Sequence, residues 1–129
     1  MDRPEPLARW HQVVATKHPA LLDALLADDA VFRSPAVHTP QVGKALTTAY
    51  LWAALNVLGP TLTYQHEWYD DSSAVLEFTA ELDGLTVHGV DMFRWDDAGR
   101  ITEFTVMVRP FKGLQKLMER MVTELTSES

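Results

Sequence analysis

One carboxylate lies inside an otherwise apolar stretch of this sequence. Asp91 follows Val87 and Val90 and precedes Met92 and Phe93, and an isolated carboxyl in a dry environment takes up a proton rather than holding its charge. We therefore predict that the pKa of Asp91 lies well above its ordinary value of about 3.9. As a neutral acid it would donate a hydrogen bond to a ligand carbonyl. The alternative is a structural carboxyl paired with a backbone amide, a buried water or an arginine.

Two arginines are the groups that threaten this interpretation, because a nearby guanidinium would keep the carboxyl charged. Arg94 has the opposite strand parity to Asp91, and Arg109 follows the end of the next predicted strand. We expect neither to reach Asp91.

His66 is the candidate catalytic base. It shares the parity of Leu62, Tyr64 and Trp68 on a predicted strand, so its ring would face the pocket, and imidazole titrates near neutral pH. A structural histidine is the alternative. Since no histidine pair has HxH or HxxxH spacing, we expect no metal site, and we expect no cofactor. The other histidines are His11, His18, His38 and His88.

Composition narrows the class of protein. Eleven Lys and Arg against eighteen Asp and Glu give the 129 residues a net charge of −7, which disfavours nucleic acid and anionic membranes as partners. The chain contains no cysteine, so it has neither a disulfide framework nor a thiol nucleophile. No apolar run approaches the roughly 20 residues of a membrane span, and no secretory signal is visible. We expect one cytoplasmic domain covering residues 1–129.

The elements that position these residues follow from the spacing of apolar residues. A helical period precedes Gly59-Pro60 and an alternating period follows it. Three helices, a meander of strands and a last helix favour an α+β fold with a bent antiparallel sheet of about four long strands. The predicted helices are Leu7 to Lys17, Pro19 to Asp29, Lys44 to Leu58 and Phe111 to Leu125; the predicted strands are Ala30 to Arg33, Thr61 to Tyr69, Ala74 to Leu82, Leu85 to Trp95 and Ile101 to Val108.

Three segments carry a resemblance to a known family: LADDAVFRSP (Leu26 to Pro35), VGKALTTAY (Val42 to Tyr50) and GVDMFRWDDAGRITEF (Gly89 to Phe104). With them the chain resembles the nuclear-transport-factor-2-like superfamily, which includes ketosteroid isomerases and SnoaL-like polyketide cyclases. The resemblance implies a cone: a bent antiparallel sheet wraps around the N-terminal helices and leaves an apolar pocket. The ending VMVRPFKGLQKLMERM is similar to SnoaL-like proteins of unassigned function, whereas ketosteroid isomerases lack that last helix.

The resemblance also implies which positions to compare with an isomerase site. The protonated donor Asp matches Asp91, and a supporting Tyr matches Tyr50. The catalytic Tyr position holds Trp10, and the base position holds Ser34, whose hydroxyl cannot abstract a carbon-bound proton unaided. We therefore do not expect steroid isomerisation by the usual mechanism. The alternative for Trp10 and Tyr50 is packing in the hydrophobic core, and the alternative for Ser34 is shaping a turn.

The last strand tests a second family pattern, because SnoaL-type cyclases place an Asp there. Phe104, Val106 and Val108 are expected to face inward, and Glu103 has the opposite parity. No carboxylate is therefore expected in the pocket from this strand.

Three functions stay open at this point. The favoured one is a pocket for an apolar polyketide-, steroid- or terpenoid-like ligand oriented by Asp91. The alternatives are an isomerase, cyclase or dehydratase that moves a proton, and an interaction module whose cavity is filled by its own side chains. The pocket itself discriminates among them. The candidate ligand-binding residues are Trp10, Val14, Phe32, Ser34, Tyr50, Leu76, Phe78, Asp91, Phe93, Phe104 and Val106.

The outer face of the predicted sheet is unusually apolar. Val90 and Met92 lie there with Met107 on the next strand, which suggests burial by another element. A homodimer through this face is one expectation, in line with the family resemblance. Cover by the terminal helix is the other.

Overall fold

The change of period at Gly59-Pro60 separates a mainly helical part of the chain from four long strands. The computed structural model describes residues 2–127, and over this range the α+β class is confirmed. A short 3₁₀ turn, Gly59–Thr61, joins the two parts. The helices are α1 (Glu5–Thr16), α2 (Pro19–Leu25), α3 (Lys44–Leu58) and α4 (Phe111–Ser127); the strands are β1 (Leu26–Arg33), β2 (Gln41–Val42), β3 (Thr63–Tyr69), β4 (Ser73–Leu82), β5 (Leu85–Trp95) and β6 (Ile101–Arg109).

The six strands form one curved, open sheet in the order β2-β1-β6-β5-β4-β3. All neighbouring pairs are antiparallel except β1 and β6, which run parallel. The sheet is therefore mixed rather than purely antiparallel. The strand from the helical part of the chain joins the edge of the meander, where it lies alongside β6.

The second predicted helix is too long at its C-terminal end. The structure ends α2 at Leu25 and begins β1 at Leu26, which pairs with Ile101. Pairing with β6 overrides the local helical pattern, because it buries Leu26 and Ala30 completely. The two-residue strand β2 was not predicted, since a segment this short has no readable period.

The β4–β5 hairpin confirms the turn that Asp83-Gly84 predicts. Both residues have positive φ, at 50° and 84°, as a two-residue turn of the favoured hand requires. The hairpin register pairs Leu76 with Asp91, and β6 places Val106 on the other side of Asp91. The carboxylate therefore enters the concave face between two apolar neighbours.

Helix α4 closes the concave side of the sheet. It packs against α3, β5 and β6, and Leu117 is buried in the core on the concave side, so the outer sheet face is not covered by this helix and the side chain of Met107 stays 55% exposed. The expectation that the terminal helix covers the outer face is therefore wrong. Within residues 2–127, no helix is both long enough and apolar enough to cross a membrane.

Candidate ligand pocket

A cavity of about 190 Å³ lies between the concave face of the sheet and the helices. Its exposed lining side chains come from the loop after β1, at Ala36 and Val37, and from α4, at Met118 and Val122. The mouth therefore lies between this loop and α4. The wall is almost wholly apolar, and Asp91 lies in it as a buried carboxyl. The remaining lining residues are Trp10, Phe32, Ser34, Pro35, Tyr50, Leu51, Ala54, Leu55, Leu58, Leu62, Tyr64, Phe78, Phe104, Val106, Leu114, Leu117, Met121 and Leu125.

Asp91 ends a short chain of hydrogen bonds. The hydroxyl of Tyr64 donates to Oδ2 of Asp91 at 2.6 Å. The indole N–H of Trp10 donates in turn to the Tyr64 hydroxyl oxygen at 3.0 Å. Three elements, α1, β3 and β5, thus meet at one carboxyl.

Burial raises the pKa of Asp91 to about 7, and the hydrogen bond from Tyr64 lowers it only in part. The predicted direction is confirmed. As expected, neither arginine reaches the site: Arg94 lies near Glu103 at 3.8 Å and Arg109 lies near His88 at 3.5 Å. Asp91 is therefore poised to change charge close to neutral pH.

Tyr64 keeps its proton under the same conditions. Burial, and then the charge of Asp91, raise the pKa of the Tyr64 phenol well above its ordinary value of 10. Tyr64 is therefore a neutral donor at neutral pH.

A bulge in β3 decides which of its side chains enter the cavity. The register with β4 shifts between Tyr64 and His66, so Tyr64 faces inward while His66 faces outward. The His66 ring is exposed and Nδ1 lies 2.9 Å from Oε1 of Glu77. The expectation that His66 faces the pocket is therefore wrong, because the bulge reverses the alternation on which it depended.

Sequence analysis missed the role of Tyr64 for the same reason. The sequence places Tyr64 on the same face as Leu62, but in an unbroken strand His66 lies on that face too. The alternation then favours the imidazole as the polar group of the pocket. After the bulge, Glu67 points inward and bonds to His11 at 2.8 Å and Arg3 at 2.9 Å. This cluster ties β3 to α1 beside Tyr64, where the His11 ring meets the Tyr64 ring edge-on.

The structure brings eight of the eleven proposed ligand-binding residues to the cavity wall, namely Trp10, Phe32, Ser34, Tyr50, Phe78, Asp91, Phe104 and Val106. Val14, Leu76 and Phe93 pack in the core without lining the cavity. Phe93 is covered because its ring stacks on Phe104 at 5.2 Å and lies 6.1 Å from Trp10. The lining side chains of α3 and α4 were missed, since their apolar stripes look like ordinary core.

Two of the polar wall residues have structural contacts. The hydroxyl of Ser34 accepts a hydrogen bond from the backbone N–H of Ala36 at 3.0 Å, which is the contact of a turn. The Tyr50 ring stacks on Phe32 at 5.6 Å. Within residues 2–127, no group of three His, Asp or Glu side chains is arranged to hold a metal ion.

Residues 7–104 match the SnoaL-like domain, which is most of the chain. The protein belongs to the SnoaL-like domain family. The resemblance seen in the sequence is thereby confirmed. No curated protein matches the chain.

Solved structures agree with this assignment. A steroid delta-isomerase from Pseudomonas aeruginosa is 42% identical, with a TM-score of 0.89 over 95% of this chain and 90% of that one. A bacterial protein with a cystatin-like fold from Silicibacter pomeroyi is 27% identical, with a TM-score of 0.88 over 96% and 87%. A putative SnoaL-like polyketide cyclase from Jannaschia is 9% identical, with a TM-score of 0.69 over 91% and 96%, and supports the fold alone.

Proposed function

We propose that this protein binds a small, largely apolar molecule whose carbonyl oxygen is oriented by Asp91. The observation that carries the proposal is a buried carboxyl with one oxygen left open in an apolar cavity. Among the described residues, Tyr64 supplies the hydrogen bond to Oδ2 and no donor or acceptor reaches Oδ1. A buried polar group without a partner is unfavourable, and a ligand acceptor would satisfy it.

The free oxygen faces the cavity. Every fully buried side-chain nitrogen or oxygen in the described part of the chain has a hydrogen-bond partner. Since Oδ1 has none, it retains accessible surface, and the cavity is the space that Asp91 lines. A ligand carbonyl entering from the mouth would therefore meet Oδ1.

The cavity volume favours a compact ligand. An engineered cavity of about 150 Å³ holds one benzene molecule, and pockets for drug-sized ligands span about 300–1,000 Å³. The cavity here, at about 190 Å³, suits a one- or two-ring compound or a small terpenoid better than a four-ring steroid. Its existence also argues against the interaction module with a filled cone.

The proposal is tested with β-tetralone, a two-ring ketone, and tetralin, the same skeleton without the carbonyl. We expect the ketone to bind about threefold to tenfold more tightly at about pH 5, the range of one hydrogen bond. In Asp91→Asn most of this preference should persist, because the amide is also a donor. In Asp91→Leu it should vanish while tetralin still binds.

Native mass spectrometry and calorimetry measure these affinities. Asp97→Asn is the matched control, since Asp97 is an exposed turn residue and its change should leave both affinities unaltered. Equal affinity for ketone and hydrocarbon in the wild type would contradict the role of Asp91. Absence of binding by both probes would contradict the proposed class of ligand.

A proton-transfer enzyme is the second candidate. Two observations favour it: the pKa of Asp91 near 7 and the 42% identity to a steroid delta-isomerase. With Ser34 in a turn, Asp91 is the one carboxyl on the cavity wall among the described residues. It would have to take the proton from a carbon next to the carbonyl, leaving the electron pair in an enolate, and then return it.

Hydrogen–deuterium exchange separates this candidate from binding alone. β-Tetralone in heavy water loses its carbon-bound α-hydrogen signals in proton NMR as the exchange proceeds. Faster exchange with the wild type than with Asp91→Asn, at saturating protein, would support proton transfer. Equal rates would leave a binding protein.

We also propose a homodimer through the outer sheet face. Met107 is 55% exposed and Trp68 is 56% exposed on this face, and Val90 and Met92 lie between them. These apolar side chains form a surface suited to burial by a second copy.

A further inference from the structure

The hydrogen bonds around Asp91 have a direction that the donor and acceptor inventory fixes. An indole N–H donates and never accepts, so Trp10 must be the donor to the oxygen of Tyr64. The phenol has one proton of its own. The Tyr64 hydroxyl lies 2.6 Å from Oδ2 of Asp91, and no other acceptor for it is present among the described residues.

Two arrangements of the neutral acid can be compared. If the Asp91 proton were on Oδ2, it would point at Tyr64, and the phenol oxygen would accept from both Trp10 and Asp91. The Tyr64 proton would then have no acceptor. If the proton is on Oδ1, Tyr64 donates to Oδ2, and among these three residues the one donor without a protein acceptor is the Oδ1–H group, which opens into the cavity where a ligand can accept from it. An unpaired buried donor costs about 1–3 kcal/mol, so the second arrangement prevails.

We propose that Trp10 and Tyr64 are positioning residues that hold the proton of Asp91 on Oδ1, the oxygen that faces the cavity. The inference rests on the proposed function for its biological meaning. The indole N–H of Trp10 is engaged by the Tyr64 oxygen, so its part is to set the direction of the chain. The acid is then preoriented to donate into the cavity without rearranging.

Among the described residues, the titratable and charged groups beside this chain, apart from the Tyr50 phenol, are His11 and Glu67, which lie on the side of the Tyr64 ring and not against Asp91. Strands β4 and β6 present Leu76 and Val106 opposite Asp91, and α4 contributes only apolar side chains to the cavity wall. Helix α3 contributes the Tyr50 phenol. Helix α1 places His11 against the Tyr64 ring, with its Nε2 on Glu67.

The first test uses the wild-type protein without ligand. The Trp10 indole N–H signal in nitrogen–proton NMR should titrate with the midpoint of the Asp91 carboxyl-carbon signal, because the charge of Asp91 changes how strongly Tyr64 accepts. The Trp95 indole is the internal control: its N–H donates to the backbone carbonyl of Asp71 at 3.0 Å and should not follow that midpoint. A Trp10 signal that ignores the Asp91 midpoint would overturn the proposal.

The second test uses three variants that each remove one donor. Tyr64→Phe should raise the pKa of Asp91, because the bond that stabilises the charged form is lost. Trp10→Phe should raise it less, since Tyr64 is then free to accept the Asp91 proton. Trp95→Phe, which removes an equivalent indole bond away from the cavity, should leave the pKa unchanged. A Trp10→Phe protein with the wild-type value would show that Trp10 has no directing role.

The third test connects the chain to the ligand. At about pH 5, Trp10→Phe should reduce the preference for β-tetralone over tetralin by about twofold to fivefold, a part of one hydrogen bond. Any change in packing caused by the smaller ring should alter the affinities for both probes equally and so cancel in this preference. Trp95→Phe should keep the full preference.

If the wild type shows no ketone preference but the pKa changes occur, the proposed function fails and the directing role of Trp10 survives. If the preference exists and Trp10→Phe retains it in full, the directing role fails alone.

Discussion

Two carboxylates on adjacent strands of the same sheet have opposite fates. Asp91 on β5 points to the concave face, where burial raises its pKa to about 7. Glu77 on β4 points to the convex face, opposite Val90. There hydrogen bonds from His88 and His66 hold the pKa of Glu77 below its ordinary value of 4.5.

The difference comes from the face and not from the residue type. Alternation along the strands gives the inner face one buried acid with a single neutral donor, Tyr64. It gives the outer face an acid between two imidazoles, at 2.9 Å from His66 and 2.7 Å from His88. Desolvation favours the protonated form, and donors favour the charged form. A ligand acceptor is therefore drawn to the inner acid, whereas the outer one is already satisfied.

The largest expected effect is the pH dependence of stability that Asp91 causes. Its pKa is raised from 3.8 to about 7 on folding, so its stabilising effect is full below the unfolded value and is lost as the pH rises through the folded one. Between about pH 5 and pH 8 the wild type should lose about 3 kcal/mol of unfolding free energy relative to Asp91→Asn. Urea denaturation at a series of pH values measures this.

Comparison with Asp91→Asn cancels the contribution of the outer face, because both proteins share it. The pKa values of Glu77 and Asp70 are lowered, so their contributions are lost only as the pH falls below that range. Asp97→Asn should run parallel to the wild type. A difference between wild type and Asp91→Asn that is constant with pH would mean that Asp91 has an ordinary pKa in the folded protein.

The next effect comes from overfilling the inner face beside Asp91. A methyl group on Gly89 would lie 2.3 Å from the backbone oxygen of Met107 and 2.8 Å from the Phe78 ring. Gly89→Ala should therefore lower the unfolding free energy by about 1–3 kcal/mol. Gly59→Ala is the control, since nothing lies within 4 Å of a methyl group there, and its stability should stay near that of the wild type. Equal denaturation midpoints for the two variants would contradict the close approach at Gly89.

Much of the fold can be predicted from local patterns. The observed bounds of α3 and β5 equal the predicted ones, because Gly59-Pro60 ends the helix and Asp83-Gly84 forms the turn before the strand, and both signals are local. The end of α2 does not, since the residues from Leu26 onward become a strand only by pairing with β6. The parallel pairing is likewise a contact between distant segments, which no local period reveals.

The candidate site divides in the same way. Asp91 can be found from sequence because one acid in an alternating apolar strand is a local anomaly. Tyr64 cannot be chosen over His66, because the β3 bulge that separates them depends on pairing with β4. The bond from Trp10 to Tyr64 joins residues 54 positions apart, so it requires the folded chain.

Glu77→Gln sharpens the comparison from the outer face. The variant removes the charge that both imidazoles contact, so it should be slightly less stable than the wild type near pH 6. The pKa of Glu77 is lowered, which means its contribution is present above the unfolded value and fades as the pH falls through the folded one. The stability difference between wild type and Glu77→Gln should therefore shrink in acid, which is opposite in sign to the effect of Asp91. Urea midpoints of both proteins, measured near pH 6 and again in acid, check it. A difference that grows in acid would contradict the assignment.

The smallest expected change in monomer stability accompanies the largest change in assembly. Met92 lies on the outer face between Val75 and Thr105 on its neighbours, and neither offers a carboxylate to a lysine. Met92→Lys should alter the unfolding free energy by only about 0.5 kcal/mol, as for a surface position. In the proposed dimer, however, the ammonium group would be pressed against the apolar side chains of a second copy, which is strongly unfavourable. Sedimentation should show a dimer for the wild type and a monomer for Met92→Lys.

The control is Leu46→Lys, at an exposed apolar position on α3, which should remain dimeric. A dimer that survives Met92→Lys would place the interface elsewhere, and a monomeric wild type would mean that the outer face functions exposed to water.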